Sequence, residues 1–410
     1  MLLFGYYLNF DTISAVIVLS LMGILLFANR KKIELQKIFF PLFYVVLYRT
    51  KLGLRLMDKT AEKFRELIKL IGLCFIGIGF LGMIYVSISM IYLLFSLLKA
   101  PKAASEGVAL VLPFTNIPGI GYLSFWHFII SLFIIVVFHE FAHGVVARAH
   151  KLKIKSSGFG FLSVLIPILP LAFVDVDEKP LRKQKDHVQY SVFAAGPVIN
   201  LIMALLILVP LPYVANPNGL APFEDKFTEP IGISFSEVVG GYPAEESGLK
   251  EGIVINKIDN VDVKEYSDFL EYSYTIKPGQ QVTLYSDSGS YDIVTGEFPD
   301  GSSDRGYFGV KGIANERRII GGKENSAAVF YWFKGLIKWV FMLSFLVGMI
   351  NLLPIFITDG GRMLDVAFKK LFKDMNKARK AYIFLASIFL TTILLALLIN
   401  YGSKVLGLFV

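Results

Sequence analysis

Six long apolar runs constrain the fold of this 410-residue chain more than any other feature. About 20 apolar helical residues cross a bilayer core of about 30 Å. Runs that approach or exceed this length lie at 12–28, 68–98, 126–147, 188–213, 326–357 and 381–400. The chain is 55% hydrophobic and 18% charged, with a mean hydropathy of +0.60, which lies outside the range of soluble domains. The sequence therefore predicts a polytopic α-helical membrane protein with about six transmembrane helices.

The distribution of charge predicts how these helices are oriented. Residues 29–66 carry ten Lys and Arg, 148–187 carry eight and 362–380 carry seven, whereas 213–325 hold 19 Asp and Glu against ten Lys and Arg. Basic loops stay in the cytoplasm, so we expect these three segments inside and both chain ends outside. The net charge of +8 is then largely a topology signal, and nucleic acid is not an expected partner. The expected location is the plasma membrane of a prokaryote.

Two features of the N-terminal part complete this picture. The first apolar run lacks a preceding basic segment and a small-residue cleavage site, so we expect an anchor and no cleaved signal peptide. The segment 38–56 is apolar and aromatic, but Pro41 interrupts it and Arg49 is among its basic residues. It predicts an interfacial helix that lies on the lipid headgroups. The single Cys74 excludes a disulfide framework.

A polar cluster interrupts the third apolar run. His139, Glu140 and His143 form the pattern H-E-x-x-H directly after the largely apolar segment Phe128–Phe138. On a helix the two histidines share one face at the spacing of two zinc ligands, and the glutamate can act as general base. Ionisable residues inside a bilayer are costly and usually functional. The alternative, histidines that pack without a metal, stays open at this point.

The third ligand does not follow from the motif itself. Val146 and Ala149 stand where a metzincin would have Gly and His. The nearest acidic residues downstream are Asp175, Asp177 and Glu178, which lie outside the apolar runs and are weak candidates.

Asp359 is the stronger candidate for the third ligand. It closes the fifth apolar run, after Pro354, which disrupts helical hydrogen bonding, and before Gly360 and Gly361, which permit a sharp turn. The predicted topology puts it at the same depth as the two histidines. Two His and one carboxylate leave a fourth position for water, as in a catalytic zinc site. The expected cofactor is one Zn²⁺ ion held by His139, His143 and Asp359.

The composition changes between residues 219 and 310. Short β-type runs alternate with turn residues, and one helix-like segment, Tyr266–Tyr274, interrupts them. The run Gly241–Asn260 resembles the PDZ domains of bacterial-type membrane and periplasmic proteases, although Ile253 stands where Asp is usual and Val261 where Gly is common. The resemblance implies an inserted α+β PDZ-like domain outside the membrane. Such a domain receives a peptide C-terminus at a sheet edge or acts as a steric filter.

These motifs together resemble the site-2 protease family of intramembrane metalloproteases. The resemblance rests on the H-E-x-x-H helix, the segment Asn351–Gly360 with its N-x-x-P-x-x-x-x-D-G pattern, and the PDZ-like insertion. Thr358 stands where the family commonly has Leu or Met, with no expected mechanistic consequence. The implied division is 1–125 for N-terminal helices and the interfacial segment, 126–218 for the first catalytic part, 219–315 for the PDZ-like domain and 316–410 for the second catalytic part.

The resemblance implies two further elements. The pattern G-P-x-x-N ends in Asn200, which in the family lies near the zinc, so we expect Asn200 to be catalytic through a hydrogen bond to the substrate carbonyl or the oxyanion. Asn351 is a second candidate for the same role. The segment Gly158–Val176 matches a membrane-associated β-hairpin whose free edge can pair with a substrate strand.

The expected function is intramembrane zinc proteolysis of transmembrane protein substrates, with the active site toward the cytoplasmic side. Water then reaches the metal from that side, and the PDZ-like domain limits access by large ectodomains. Two alternatives stay open: a metal transporter, which also places His and Asp in its spans, and a catalytically silent membrane scaffold that presents the PDZ-like domain. The sequence does not specify the oligomeric state.

Overall fold

The computed structural model describes the chain except for residues 1, 4–5, 8–9, 30–32, 40–42, 107, 109, 118–119, 165, 211–219, 300, 302 and 407–410. The chain forms two compact units, Met1–Ile207 with Trp339–Val410, and Leu208–Lys338. The described helices are α1 Phe10–Ala28, α2 Leu54–Lys63, α3 Arg65–Lys99, α4 Pro101–Glu106, α5 Phe125–Ala149, α6 Glu178–Arg182, α7 Asp186–Leu208, α8 Ala221–Glu224, α9 Pro243–Glu246, α10 Tyr266–Ser273, α11 Glu324–Leu352, α12 Asp359–Leu371 and α13 Met375–Leu406.

The described strands are shorter and fall into four antiparallel sheets. They are β1 Leu2–Leu3, β2 Tyr6–Tyr7, β3 Ile33–Phe39, β4 Phe43–Thr50, β5 Thr115–Ile117, β6 Gly121–Leu123, β7 Ile154–Val164, β8 Ile166–Val176, β9 Thr228–Val238, β10 Ile255–Ile258, β11 Val261–Asp262, β12 Gln281–Ser286, β13 Gly289–Val294 and β14 Val310–Ile319.

Among the residues that the structure describes, five helices are long and apolar enough to cross a membrane: α3, α5, α7, α11 and the part Met375–Gly402 of α13. They account for five of the six predicted spans, and the protein is a membrane protein. The apolar part of α1, Phe10–Leu25, is shorter, so a sixth span stays a prediction.

Helices α1 and α5 begin side by side. The backbone N–H of Phe125 donates to Oδ2 of Asp11 at 2.8 Å, and the indole N–H of Trp126 donates to Oγ of Ser14 at 2.9 Å. Asp11 thus satisfies one of the backbone donors that a helix N-terminus leaves unpaired. This contact fixes α1 against the helix that carries the H-E-x-x-H motif.

A four-stranded sheet replaces the interfacial helix that the sequence predicts for residues 38–56. Its strand order is β3-β4-β7-β8, and β4 pairs with β3 on one side and β7 on the other. The prediction was wrong because β4 is rich in aromatic and β-branched residues, which favour a pleated sheet, and its backbone groups find partners in distant strands. The amphipathic helix comes later, as α2, where Met57 and Ala61 are buried.

The hairpin expected over Gly158–Val176 is confirmed as β7 and β8, which pair from Ile154 and Val176 to Val164 and Ile166. At Gly160 an added Cβ would lie 2.6 Å from the carbonyl oxygen of Val46. The glycine therefore allows β4 and β7 to approach each other. Among the described residues, β8 pairs with β7 alone, so it forms an edge of the sheet.

The unit Leu208–Lys338 has a sheet and a core of its own. The strand order is β13-β12-β10-β9-β14, with β11 beside β10, and α10 confirms the helix expected at Tyr266–Tyr274. Phe235 and Ile258 are among its fully buried side chains. The guanidinium of Arg317, 5% exposed, pairs with Glu265 at 3.0 Å and with Asp225, which ties β14 to the segment before β9 and to the start of α10.

Candidate metal centre and active site

The two histidines of the H-E-x-x-H helix meet an aspartate that lies far from them in the sequence. Nε2 of His139 and Nε2 of His143 lie 3.1 Å apart, and each lies 3.2 Å from Oδ2 of Asp359. All three residues are buried. Ligands about 2.0–2.1 Å from a tetrahedral zinc ion lie about 3.3 Å from one another, so this set fits zinc. Within the described part of the chain, it is the only such group of His, Cys, Asp or Glu.

The break between α11 and α12 brings Asp359 to this point. α11 ends at Leu352, as Pro354 predicted, and Thr358 begins α12 by accepting a hydrogen bond from the N–H of Gly361 at 3.2 Å. An added Cβ at Gly360 would overlap the carbonyl oxygen of Leu352, and one at Gly361 would overlap that of Ile355. Neither glycine has a positive φ, so they are needed for close packing and not for the sharp turn that we expected.

Helix α7 orients both histidines. Nδ1 of His143 lies 2.6 Å from the carbonyl oxygen of Val192, and because a carbonyl only accepts, this nitrogen carries the proton. Nε2 is then free to ligate a metal. Partners of this kind fix the tautomer and the ring orientation in metal sites.

Asn200 does the same for His139. Nδ2 of its side-chain amide lies 3.0 Å from Nδ1 of His139, its Oδ1 has no hydrogen-bond partner, and the residue is fully buried. With Nε2 of His139 as a ligand, Nδ1 carries the proton, so the amide must present Oδ1 to it, an assignment that the hydrogen-bond network decides. Asn200 therefore contacts the far side of a metal ligand, which differs from the oxyanion contact that we expected.

Gly196 gives the metal ligands their space. It lies on the same face of α7 as Val192 and Asn200, at spacings of four residues. An added Cβ would overlap Nε2 of both histidines and lie 2.6 Å from Cε1 of His139. From the G-P-x-x-N pattern we expected a role for Asn200 but none for Gly196. The spacing of four residues between Gly196 and Asn200 puts both on one face of a helix, and this spacing could have indicated that Gly196 also faces the metal site.

Glu140 faces a cavity of about 280 Å³ beside the three ligands. Its Oε2 accepts a hydrogen bond from the backbone N–H of Val174 in β8 at 2.8 Å. Because N–H groups alternate between the two edges of a strand, this bond shows that the edge of β8 not paired with β7 faces the cavity. Phe173, Val174 and Asp175 line it.

One guanidinium ties all four strands of this sheet together. Arg49 in β4 donates to Glu34 in β3 at 2.6 Å, and to Ser156 in β7 and Asp175 in β8, both at 2.8 Å. The hydrogen bond from Arg49 lowers the pKa of Glu34 from its ordinary value of 4.5. This contact differs from the lipid headgroups that we expected for Arg49, because it depends on strand pairing between distant segments.

The remaining candidate residues lie near the site without joining it. Asp175, Asp177 and Glu178 pair with Arg49, Lys155 and Arg182, respectively. Nδ2 of Asn351 donates to the carbonyl oxygen of Val347 at 3.0 Å in its own helix. Because the three acidic residues form these ion pairs, they stay weak candidates for the third metal ligand.

The sequence matches one known protein family. The sequence profile of peptidase family M50 matches residues 127–395. That range includes all but the first two residues of α5, the β7–β8 hairpin, α7 and Asp359, whereas β3, β4 and Arg49 lie before it.

Individual relatives are distant. An uncharacterised protein of Methanocaldococcus jannaschii is 28% identical over 90% of this chain and 88% of its own length. Proteins of Rickettsia conorii and Clostridium acetobutylicum that carry the name "putative zinc metalloprotease" are 22% and 23% identical, over 61% of this chain and 89% and 88% of their own lengths.

Proposed function

The chain belongs to peptidase family M50, and we propose that it is an intramembrane zinc metalloprotease that hydrolyses peptide bonds in or near the transmembrane helices of other membrane proteins. The observation that carries the proposal is the buried His139–His143–Asp359 set, two members of which lie on a helix long and apolar enough to span a membrane. Ionisable residues inside a bilayer are energetically costly, and where they occur they usually serve a function.

His139, His143 and Asp359 would hold the zinc ion. When bound, zinc supplies Lewis acidity, which polarises a carbonyl oxygen and lowers the pKa of a water molecule to about 7. Val192 and Asn200 keep both Nδ1 atoms protonated and thereby direct both Nε2 lone pairs toward the metal position. Gly196 keeps that position free of side-chain atoms.

Glu140 acts as the general base. It takes a proton from the attacking water and then delivers it to the leaving amine. Its place next to His139 and its exposure to the same cavity support this role. The N–H of Val174 holds the carboxylate at the cavity wall, on the side where β8 lies.

The free edge of β8 receives the substrate. A peptide bond within a helix is shielded, so the segment that is cut must unwind first, and an unwound segment needs partners for its backbone groups. Addition of a strand to an exposed sheet edge supplies them. Such a strand would lie along the wall of the cavity that Glu140, His139 and Asp359 also line.

The second unit acts as a PDZ-like domain that engages or filters substrates. A cavity of about 150 Å³ lies between α10, which contributes Phe269 and Ser273, and β14, which contributes Val310 and Ile313. β14 is the last strand of its sheet in the described residues, so an extended peptide C-terminus can add to it. If Ile313→Asp lowers cleavage of a long substrate but not of one without its extramembrane part, the domain engages substrate directly.

The test of the proposed activity combines metal analysis and cleavage. Purified protein should contain one zinc ion per chain and cleave at least one member of a panel of single-span membrane proteins in proteoliposomes. Glu140→Gln should keep the zinc and lose cleavage, whereas Asp359→Ala should lose both. Cleavage by Glu140→Gln would exclude the general-base role, and full zinc content in Asp359→Ala would exclude the third ligand.

The same liposomes test the transporter alternative. Zinc flux that equals the background of empty liposomes, together with cleavage, supports the protease. Zinc flux that requires His139 and Asp359, without cleavage of any substrate, would instead support transport.

A further inference from the structure

A second cavity, of about 310 Å³, adjoins the cavity at the metal centre. The two share Glu178, Leu181, Phe193 and Arg362 among their lining residues. No step of the proposed reaction uses the second cavity.

The charges around this cavity are almost all paired with each other. It is lined by four cations and three carboxylates, a formal charge of +1. Three ion pairs use all the carboxylates: Glu178 with Arg182 at 3.0 Å, Asp365 with Lys369 at 2.5 Å and Asp186 with Lys370 at 3.4 Å. One cation, Arg362, therefore remains as the source of the positive charge.

Arg362 is held in place without a carboxylate partner. Among the residues that the structure describes, no Asp or Glu forms an ion pair with its guanidinium, whose central carbon lies 5.7 Å from the centre of the Phe193 ring. This contact occupies a face of the planar group, and its N–H donors lie in the plane. The side chain is exposed, and it lines both cavities.

We propose that Arg362 binds a carboxylate of the peptide at the metal centre, an inference that rests on the proposed protease function. Arg362 follows Asp359 by three residues on α12, so the two side chains are neighbours on the helix surface. A guanidinium pairs with a carboxylate through two parallel N–H···O bonds. The carboxylate comes either from an acidic side chain near the cleaved bond or from the new C-terminus that hydrolysis creates.

The surroundings favour a carboxylate over a phosphate. The three paired acids surround the cavity, and a formal charge of +1 matches one negative charge better than the charge of about −2 on a phosphate monoester. A carboxylate bound there would lie on a peptide that continues into the metal-centre cavity, because Arg362 lines both. Arg362 therefore sets the position of the peptide along the site.

Binding, measured without cleavage, tests this site. The Glu140→Gln protein, zinc-loaded or treated with EDTA, is titrated with a dansyl-labelled six-residue Ala/Leu peptide. The peptide is used with a free C-terminal carboxylate, with a C-terminal amide, and with an amide plus one internal Glu. Because hydrogen bonds to a charged group are stronger than those to a neutral one, at least one carboxylate peptide should bind about tenfold tighter than the plain amide, with or without zinc.

Arg362→Gln in the same background should abolish this preference. Arg182→Gln is the matched control, because Arg182 lines the same cavity but already pairs with Glu178, and it should keep the preference. The terminal and internal carboxylates distinguish product binding from side-chain recognition.

Equal Kd values for all three peptides, or a preference that survives Arg362→Gln, would overturn the proposal. Displacement of the peptide by inorganic phosphate at concentrations where acetate has no effect would also overturn it, in favour of a phosphate site. Zinc content and cleavage by the unmodified protein are measured separately. If no substrate is cleaved but the Arg362-dependent preference persists, the binding site stands and the protease function fails.

Discussion

The carboxylate of Glu140 accepts a hydrogen bond from the backbone N–H of Val174, with 2.8 Å between Oε2 and N. This bond joins the H-E-x-x-H helix to the free edge of β8. The proposed general base and the proposed substrate-binding strand thus share one contact. A substrate strand that pairs with β8 on either side of Val174 would therefore lie beside Glu140.

Val174→Pro should impair cleavage without loss of zinc. Proline has no N–H, so Glu140 loses its partner. The bonds between β8 and β7 stay intact, because the N–H of Val174 points away from β7. We expect kcat/KM to fall about tenfold and zinc content to stay at one per chain, measured by proteoliposome cleavage and metal analysis.

Ala172→Pro is the control for this variant. The N–H of Ala172 faces the same edge by alternation but makes no contact with Glu140. If substrate pairs with β8, Ala172→Pro raises KM with little change in kcat, whereas Val174→Pro also lowers kcat. Identical kinetics for the two variants would show that the Glu140 contact is irrelevant to catalysis.

Gly196→Ala should abolish metal binding. The added methyl group would overlap Nε2 of both histidines, and the buried residues of α7, such as Ala194, pack in one core with Val146 and Met363, which opposes a shift of the helix. We expect zinc content to fall from one per chain to near zero, with cleavage lost in parallel. Gly77→Ala, where the new Cβ meets open space, should change neither quantity. A zinc-replete Gly196→Ala protein would show that the metal lies elsewhere.

Asn200→Ala distinguishes two roles for this residue. If Asn200 orients His139, its loss should weaken zinc binding by about 10–100-fold, and Asn200→Asp should restore much of the affinity because it keeps an acceptor. If it stabilises the oxyanion, kcat falls at unchanged zinc affinity. Chelator competition measures the affinity. Asn400→Ala, which removes a hydrogen bond to Val108 in another part of the unit, should leave zinc affinity unchanged.

Arg49→Lys should disturb the active site from a distance. Lysine keeps the charge but not the planar fork, so it cannot join Glu34, Ser156 and Asp175 at once. We expect a lower Tm and a several-fold lower kcat/KM, with unchanged zinc content. Arg318→Lys, in an exposed pair with Glu229 at 2.7 Å, is the control. If Arg49→Lys cleaves as well as the control does, the clamp has no role in placing β8.

Local features of the sequence predicted much of the fold. Apolar length alone predicted α3, α5, α7, α11 and α13, because a helix that crosses a bilayer satisfies its backbone groups internally and needs no distant partner. In the sheet β3-β4-β7-β8, the sequence predicted the β7–β8 hairpin but not β3 and β4, because a strand needs hydrogen-bond partners outside itself. The strand β4 depends on hydrogen bonds to residues more than 100 positions away, and by itself it resembled an interfacial segment.

The active site likewise combines features that the sequence predicts with features that depend on the tertiary structure. The sequence by itself determined that His139 and His143 share a helix face with Glu140 between them, because a spacing of four residues is a property of any α-helix. It also pointed to Asp359, although 216 residues separate it from His143. Only the tertiary structure decided that Asn200 lies behind His139, that Val174 holds Glu140 and that Arg362 has no carboxylate partner. Each of these depends on how separate helices and strands pack, and no local pattern specifies the neighbour that a side chain will meet.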